Sequence, residues 1–522
     1  MRPKSRRSNA LRRHRAVLVL LITVVSAVSC LAQSADWSSL DPYIRSSMQQ
    51  WDVPGVAITV IKNDDVVFLK TYGVKTKGGS ESIDTNTLFA IGSASKAFTA
   101  ASLGMLVDEG KLKWDDPVNK YLPVFQVQDP YVTREITIRD LLTHSTDVAP
   151  NDFLFWGTKL DRDQIIRRLR YLKQEASLRS RWQYQNLMFI TAGQIIPAVT
   201  GGSWDDFVRD RIFRPLGMNA TVISNHALPA GADIATAHTV IDGKMQPIPL
   251  INLDNAGPAG SILSTVGDMA RWVRLQMNDG TLGGRTFFSK AVSDEMHQPQ
   301  MLIRTNEHSM LIGLAPQASF ATYGLAWFIN DYRGHKIIHH GGRTDGMMCM
   351  IGFMPDRKLG WVVMSNTARF YPTTLMYHII DTDLGEPVQD WSSIIWTAEK
   401  HEEDQFAQQV RDEQDHRVPG TKPTLEFSRY AGTYINPLYG PAEVNVENGA
   451  LVLRFKDLGL TADLQHWQYD SFRTLWRDNN PNLRIECRLA SFVLNPLGEV
   501  EQVLIPGVGD FRRQPAPSKA GN

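Results

Sequence analysis

Phe89-Ala90-Ile91-Gly92-Ser93-Ala94-Ser95-Lys96-Ala97-Phe98-Thr99-Ala100-Ala101-Ser102-Leu103 joins a short apolar segment to a run of helix formers. The pattern predicts a helix that begins near Ser93. Residues three apart on a helix share a face, one turn from each other. Lys96 is therefore expected beside the Ser93 hydroxyl, at the helix end where unpaired N–H groups favour negative charge. A serine becomes a useful nucleophile only when a neighbour takes its proton, and this spacing supplies one. Alone, Ser-x-x-Lys arises by chance about once in a chain of this length, so its weight depends on its companions.

The first companion is Tyr184-Gln185-Asn186, which opens a helix predicted over 185–200. Beside a cationic Lys96, the Tyr184 phenol is expected to be held partly as phenolate. It would accept the Ser93 proton and later return one to a leaving group. Asn186 is suited to donate to a substrate carbonyl and to accept from Lys96. A second copy, Tyr434-Ile435-Asn436, follows every other candidate element in a β-rich region and is read as structural. The second companion is His340-Gly341-Gly342, extended by Arg343-Thr344-Asp345-Gly346, at the end of a predicted strand. Two glycines there let a ligand approach the backbone. A main-chain N–H at this point, paired with that of Ser93, would make an oxyanion hole. His340 is expected to donate to Tyr184 or to an anionic substrate group.

Working outward, Gly55 to Ile61 and Val66 to Lys70 read as a hairpin of β-branched strands. Helices are expected at the Ser93 segment, over 136–143 and over 185–200. Strand character returns at 323–329, 335–339, 349–353 and 360–364. Strands at both ends with helices between predict one sheet built from two chain ends, carrying an inserted helical domain. Residues 388–417 turn sharply polar and read as a solvated connecting helix ended by Pro419-Gly420, with a partner-binding charge patch as the alternative. Beyond Pro423, short segments of period two predict a small, barrel-like all-β domain. The expected division is 1–32 signal peptide, 36–385 catalytic domain, 386–424 charged helical linker and 425–515 β domain.

Composition narrows the class. With 43% hydrophobic and 21% charged residues, the 522-residue chain is an ordinary globular protein long enough for two or more cores. Its formal neutrality hides an asymmetry: the first fifteen residues hold seven cations and no acids. Setting those seven aside from the 55 basic residues leaves 48 against 55 acidic ones, a body with no general attraction for nucleic acid. The cations precede the apolar Ala16 to Val28 and a small-residue segment ending at Ala32, the layout of a cleaved secretory signal. Thirteen residues are too few to span a bilayer comfortably. An uncleaved anchor, an organelle transit peptide and lipidation at Cys30 are the alternatives to an exported protein. Cys30, Cys349 and Cys487 build neither a disulfide framework nor a metal knuckle.

The ordered set Ser93-x-x-Lys96, Tyr184-x-Asn186 and His340-x-Gly342 resembles the serine hydrolases of the β-lactamase and penicillin-binding group. The likeness is to the branch of class C β-lactamases, D-alanyl-D-alanine carboxypeptidases and family-VIII esterases. It covers about residues 38–385 and includes Asp108-Glu109-Gly110-Lys111-Leu112, Asp140-Leu141-Leu142-Thr143-His144-Ser145 and Arg214-Pro215-Leu216-Gly217-Met218. The resemblance implies an α/β fold, an antiparallel sheet flanked by helices with an inserted helical domain. It also implies an acyl-enzyme on Ser93, proton handling by Lys96 and Tyr184, substrate contacts from Asn186, His340 and Gly342, and oxyanion donors from the N–H groups of Ser93 and Arg343. The C-terminal region is similar to the lipocalin-like barrel appended to some of these hydrolases, including archaeal self-compartmentalising peptidases directed at D-amino acids.

Two departures bear on substrate. His340 stands where true class C β-lactamases carry lysine, and a histidine is a weaker anchor for a carboxylate. Asp147 stands where relatives usually have glycine. The expected activity is hydrolysis of small amides or esters, D-amino-acid peptides or esters ahead of β-lactams, with no cofactor and no metal. The expected partners are a small-molecule or short-peptide substrate and a second copy of the chain through the β domain. Neither a Gly-x-Ser-x-Gly elbow nor Ser-Asp-Asn is present, and Gly201-Gly202-Ser203-Trp204-Asp205 is the nearest approach to the former. A zinc site from His335, His339 and His340 is disfavoured, because adjacent strand residues point to opposite faces. The rival of another class is a catalytically silent penicillin-binding-like protein that captures peptides or cell-wall fragments.

Overall fold

The computed structural model describes residues 35–241, 243–304, 318–477 and 488–515. The expected signal segment, with Cys30, and Cys487 lie outside them. Strand β1 (Gly55–Lys62) turns into β2 (Asp65–Gly73) through Asn63 and Asp64, both at positive φ, the two-residue hairpin geometry that matches strand twist. Later strands are β3 (Met301–Ile303), β4 (Ala321–Tyr323), β5 (Phe328–Tyr332), β6 (His335–Arg343), β7 (Met348–Met354) and β8 (Leu359–Ser365). They assemble in the order β2-β1-β8-β7-β6-β5-β4-β3, every neighbour antiparallel. The sheet is thus built from the two ends of this region, as the strand distribution predicts.

Period-two alternation divides β1 between two cores. Val56, Ile58 and Val60 pack with α1 (Leu40–Trp51) on one face, while Ala57 and Ile61 join the larger cluster on the other. Helix α2 (Ser95–Asp108) is buried on nearly every side, so it lies in the middle of that larger cluster with α3 (Asn186–Thr200) and α4 (Val266–Met277). Helix α5 (Tyr371–Leu384) backs the opposite face.

The apolar run expected as one strand over 323–329 is two strands. Gly324 breaks it: a Cβ there would lie 2.3 Å from the Met296 carbonyl, and its N–H donates to Trp327 O at 2.8 Å. Ala326 completes the turn at φ +71. The break pairs Tyr323 on β4 with Phe328 on β5. It thereby sets two rings beside each other next to the sheet's central strands.

Helix α6 (Trp391–Asp415) is buried only near its start and runs exposed for most of its 25 residues. Eight further strands, β9 (Gly432–Asn436), β10 (Gly440–Glu447), β11 (Ala450–Phe455), β12 (Leu460–Gln468), β13 (Ser471–Trp476), β14 (Leu489–Leu494), β15 (Val500–Ile505) and β16 (Gly509–Arg513), close into a barrel. Closure leaves no unpaired edge. Its interior is filled by side chains including Tyr434, Phe472, Phe492 and Phe511. The second Tyr-x-Asn copy belongs here: Tyr434 donates to Tyr430 O at 2.6 Å, and Asn436 donates to Asp510 O at 2.9 Å.

Candidate active site

Ser93 sits in a 3-10 turn (Gly92–Ala94) that leads into α2, so the α-helix starts two residues later than expected. The three-residue relation survives, because side chains at i and i+3 also align in a 3-10 turn. Lys96 Nζ lies 2.9 Å from Ser93 Oγ, 2.7 Å from Asn186 Oδ1 and 2.9 Å from Ala259 O. The amine is fully buried, and the lost hydration pushes its pKa down to about 7, against an opposing pull from Asp152. A neutral amine has two hydrogens and one lone pair. The Asn186 and Ala259 oxygens only accept, so they take the two hydrogens. The lone pair then faces the Ser93 hydroxyl.

Tyr184 arrives on an extended run just before α3, two residues after Trp182, and residues two apart share a face. The run is pinned by loop contacts. Gln185 N donates to His144 Nδ1 at 3.0 Å. Asp147 occupies the left-handed region at φ +56, the conformation a glycine adopts without strain. Its buried carboxylate accepts from Ser180 N at 3.1 Å and Arg181 Nε at 3.0 Å, tying the loop that delivers Tyr184. The phenol lies beside Ser93, and its ring centroid lies 4.9 Å from Lys96 Nζ. Burial raises the phenol well above its ordinary range, against a downward pull from the Ser93 hydroxyl and with Asp152 adding to the rise. This corrects the expected phenolate: desolvation drives Lys96 and Tyr184 toward neutrality, and the phenol keeps its proton.

His340 is buried on β6, and both ring nitrogens are engaged. Nδ1 lies 2.6 Å from Gly341 O, which only accepts, so that nitrogen carries the proton. Nε2 lies 2.9 Å from Tyr323 Oη and accepts from it. Burial lowers the imidazole to about 3, with Lys96 assisting, so it is neutral. The expected donation to Tyr184 is not made: the rings stand 6.4 Å apart, and His340 turns to Tyr323. The expectation of a free donor for an anionic substrate is corrected on the same ground. The next residues press on the nucleophile's turn. A Cβ on Gly342 would fall 1.8 Å from Ile91 O and 2.8 Å from Ser93 N, and one on Gly92 would fall 2.8 Å from Arg343 N. Only glycines allow this backbone contact, which brings the Ser93 and Arg343 amides to the same floor.

These residues line a cleft of about 430 Å³. Ser93, Tyr184, Asn186, His340, Gly342 and Arg343 all border it, and Lys96 lies beneath. Sequence reasoning missed much of the wall, including Phe153, Phe155, Trp156, Trp182, Phe328 and Phe370. Trp182 was readable from its alternation with Tyr184; the others come from loops and strand ends. It also missed Asp152, which accepts from Asn186 Nδ2 at 3.0 Å, and Tyr323, which holds His340.

Comparison with known proteins bears on the family and the fold. A "Beta-lactamase" family model matches residues 40–380, and a "domain of unknown function (DUF3471)" matches 416–517. An unguisins hydrolase of Aspergillus campestris is 30% identical over 423 residues, covering 76% of this chain and 75% of that protein. Penicillin-binding protein 4 of Amycolatopsis lactamdurans is 28% identical over 323 residues, covering 60% and 81%. The octameric penicillin-binding protein homologue from Pyrococcus abyssi superposes with a TM-score of 0.60 at 21% identity, over 91% of this chain and 100% of that one, a likeness of fold. A core sheet, a serine hydrogen-bonded to a buried lysine and a family match over most of its length lead to one conclusion: the chain belongs to the beta-lactamase family.

Proposed function

We propose that the protein is an exported serine acyl hydrolase that forms an acyl-enzyme on Ser93. The observation that carries the reading is the environment of Lys96, whose lone pair has Ser93 as its remaining partner. Lys96 takes the Ser93 proton as Oγ attacks a carbonyl carbon. Tyr184, neutral and beside Ser93, passes a proton to the leaving group. The N–H groups of Ser93 and Arg343 hold the oxyanion. Water then attacks the acyl carbon, with Lys96 and Tyr184 acting in the reverse sense, and Ser93 is released.

Small amides and esters are the proposed substrates, D-amino-acid peptides or esters ahead of β-lactams. A neutral His340 without a free N–H gives no anchor for a β-lactam carboxylate, and the aromatic walls favour apolar groups beside the scissile bond. Export rests on the layout of residues 1–32; among the described residues no helix is long and apolar enough to cross a membrane. The test is incubation of the full-length protein with a fluorophosphonate and with a fluorescent penicillin, followed by peptide mass analysis. Covalent mass on the Ser93 peptide, absent in Ser93→Ala, supports the hydrolase. No adduct in wild type, under conditions that label a control hydrolase, favours a silent binder of peptides.

A further inference from the structure

Phe153 faces two ways. It lines the cleft, and its ring meets three barrel residues edge-on: Tyr439 at 5.4 Å, Phe455 at 5.7 Å and Trp476 at 6.3 Å between centroids. The chain on either side is fastened to the same end of the barrel. Asn151 Nδ2 donates to the Tyr439 hydroxyl, and Lys159 N donates to Leu458 O at 2.9 Å. Arg168 donates to Leu438 O at 2.8 Å and pairs with Asp457 at 2.7 Å. Gly459, at φ +75, lets the barrel turn approach: a Cβ there would meet Lys159 Cδ at 2.6 Å.

Between these fastenings the chain makes one 3-10 turn, Asp152–Leu154, followed by Phe155 and Trp156, which also line the cleft. Asp152 stands beside Phe153 and binds Asn186 at 3.0 Å, and Asn186 binds Lys96 at 2.7 Å. The barrel is thus one ring contact, one peptide link and two hydrogen bonds from the proposed base. We propose that the C-terminal barrel is a structural component of the acylation site, seating Phe153 and thereby holding the Asp152 carboxylate against Asn186 and Lys96. Tyr439, Phe455 and Trp476 are positioning residues in this scheme. The inference rests on the acyl-enzyme reading above.

Four titratable groups face Lys96: Asp152, Tyr184, His144 and His340. Burial keeps the phenol and both imidazoles neutral, so Asp152 supplies the charge that favours a protonated Lys96. If the barrel loses its grip, that charge withdraws and the acid limb of acylation moves to lower pH. The experiment measures fluorophosphonate labelling of Ser93 against pH in the full-length chain, comparing wild type, Trp476→Ala, Trp476→Phe and Tyr439→Phe. None of these positions borders the cleft.

Trp476→Ala is expected to slow labelling tenfold or more and to lower the pH of half-maximal rate, and Trp476→Phe is expected to restore both. Tyr439→Phe removes one hydroxyl, so it reads the same limb should Trp476→Ala fail to fold. Wild-type rates and limbs in the folded variants, with thermal stability alone reduced, would overturn the proposal. An unlabelled wild type, by contrast, removes the acyl-enzyme reading itself, and the positioning role falls with it.

Discussion

The proton state of Lys96 makes a quantitative demand on pH. The folded amine titrates at about 7, while an unfolded lysine titrates near 10.5. Between those values the unfolded chain binds the extra proton, so burial of Lys96 costs less stability as pH rises through this window. Activity follows the same ionisation. With a midpoint at about 7, about nine-tenths of the amines are free at pH 8 and about one-hundredth at pH 5, so acylation should fall about ninetyfold between them. The assay is the pseudo-first-order rate of Ser93 labelling by a fluorophosphonate from pH 5 to 9, with tryptophan fluorescence confirming the fold at each point. His340 lies at about 3 and His144 well below its ordinary range, so neither accounts for the limb. Asp345 does titrate nearby, raised by burial to about 6 beside the Trp156 indole, so Asp345→Asn serves as the control. The limb should persist in that variant and shift downward in Asp152→Asn. A rate flat from pH 5 to 8, or a limb that vanishes in Asp345→Asn, refutes Lys96 as the base.

Tyr184→Phe should lower turnover at least about a hundredfold while thermal unfolding stays close to wild type, because proton transfer through the phenol is lost but its ring is kept. Near-wild-type turnover would remove the phenol from the proton path. Gly342→Ala should reduce Ser93 labelling by about a hundredfold and lower the melting temperature, since the added methyl must displace the Ile91 carbonyl and with it the nucleophile's turn. Normal labelling there would show that the floor is not rigid. His340→Lys should move preference toward anionic β-lactams by placing an ammonium where a neutral ring now stands; an unchanged ratio of cephalosporin to ester turnover excludes position 340 from substrate anchoring.

What could be read from residue order follows from how local each relation is. Ser93 and Lys96 lie within one helical turn, and Trp182 and Tyr184 alternate on an extended run, so short-range periodicity brings each pair together. The division of strands between two chain ends likewise implied a sheet with its helical region between. Tyr323 was illegible for the opposite reason. Its place beside His340 depends on a turn with Ala326 at positive φ, a conformation no alanine propensity favours and only the packed surroundings impose. Asp152 was hidden because its role is defined by partners 34 residues along the chain in Asn186 and, through Phe153, in the barrel. Asp147 marks an intermediate case. The departure from glycine was visible, but only the structure shows Asp147 in the left-handed region with its carboxylate tying the Tyr184 loop.

The error over the phenolate has a physical source. An ammonium–phenolate pair and an amine–phenol pair contain the same number of protons, so composition cannot choose between them. Attraction between the two charges favours the ionic form, and loss of water penalises it twice, once for each ion. Lys96 is fully enclosed and its hydrogens are spent on two carbonyl oxygens, which a neutral amine satisfies as well as a cation does. The Asp152 charge favours the protonated Lys96, and it acts on the phenol in the unwanted direction, resisting ionisation of Tyr184. Desolvation therefore wins, and the pair waits in its neutral form with the lone pair on Ser93. On this reasoning the burial of Lys96 is itself what arms the base. Replacing an aromatic wall such as Phe328 by an acidic residue would raise the Lys96 midpoint and weaken acylation at pH 7, even though Phe328 is not among the hydrogen-bonding partners of Lys96.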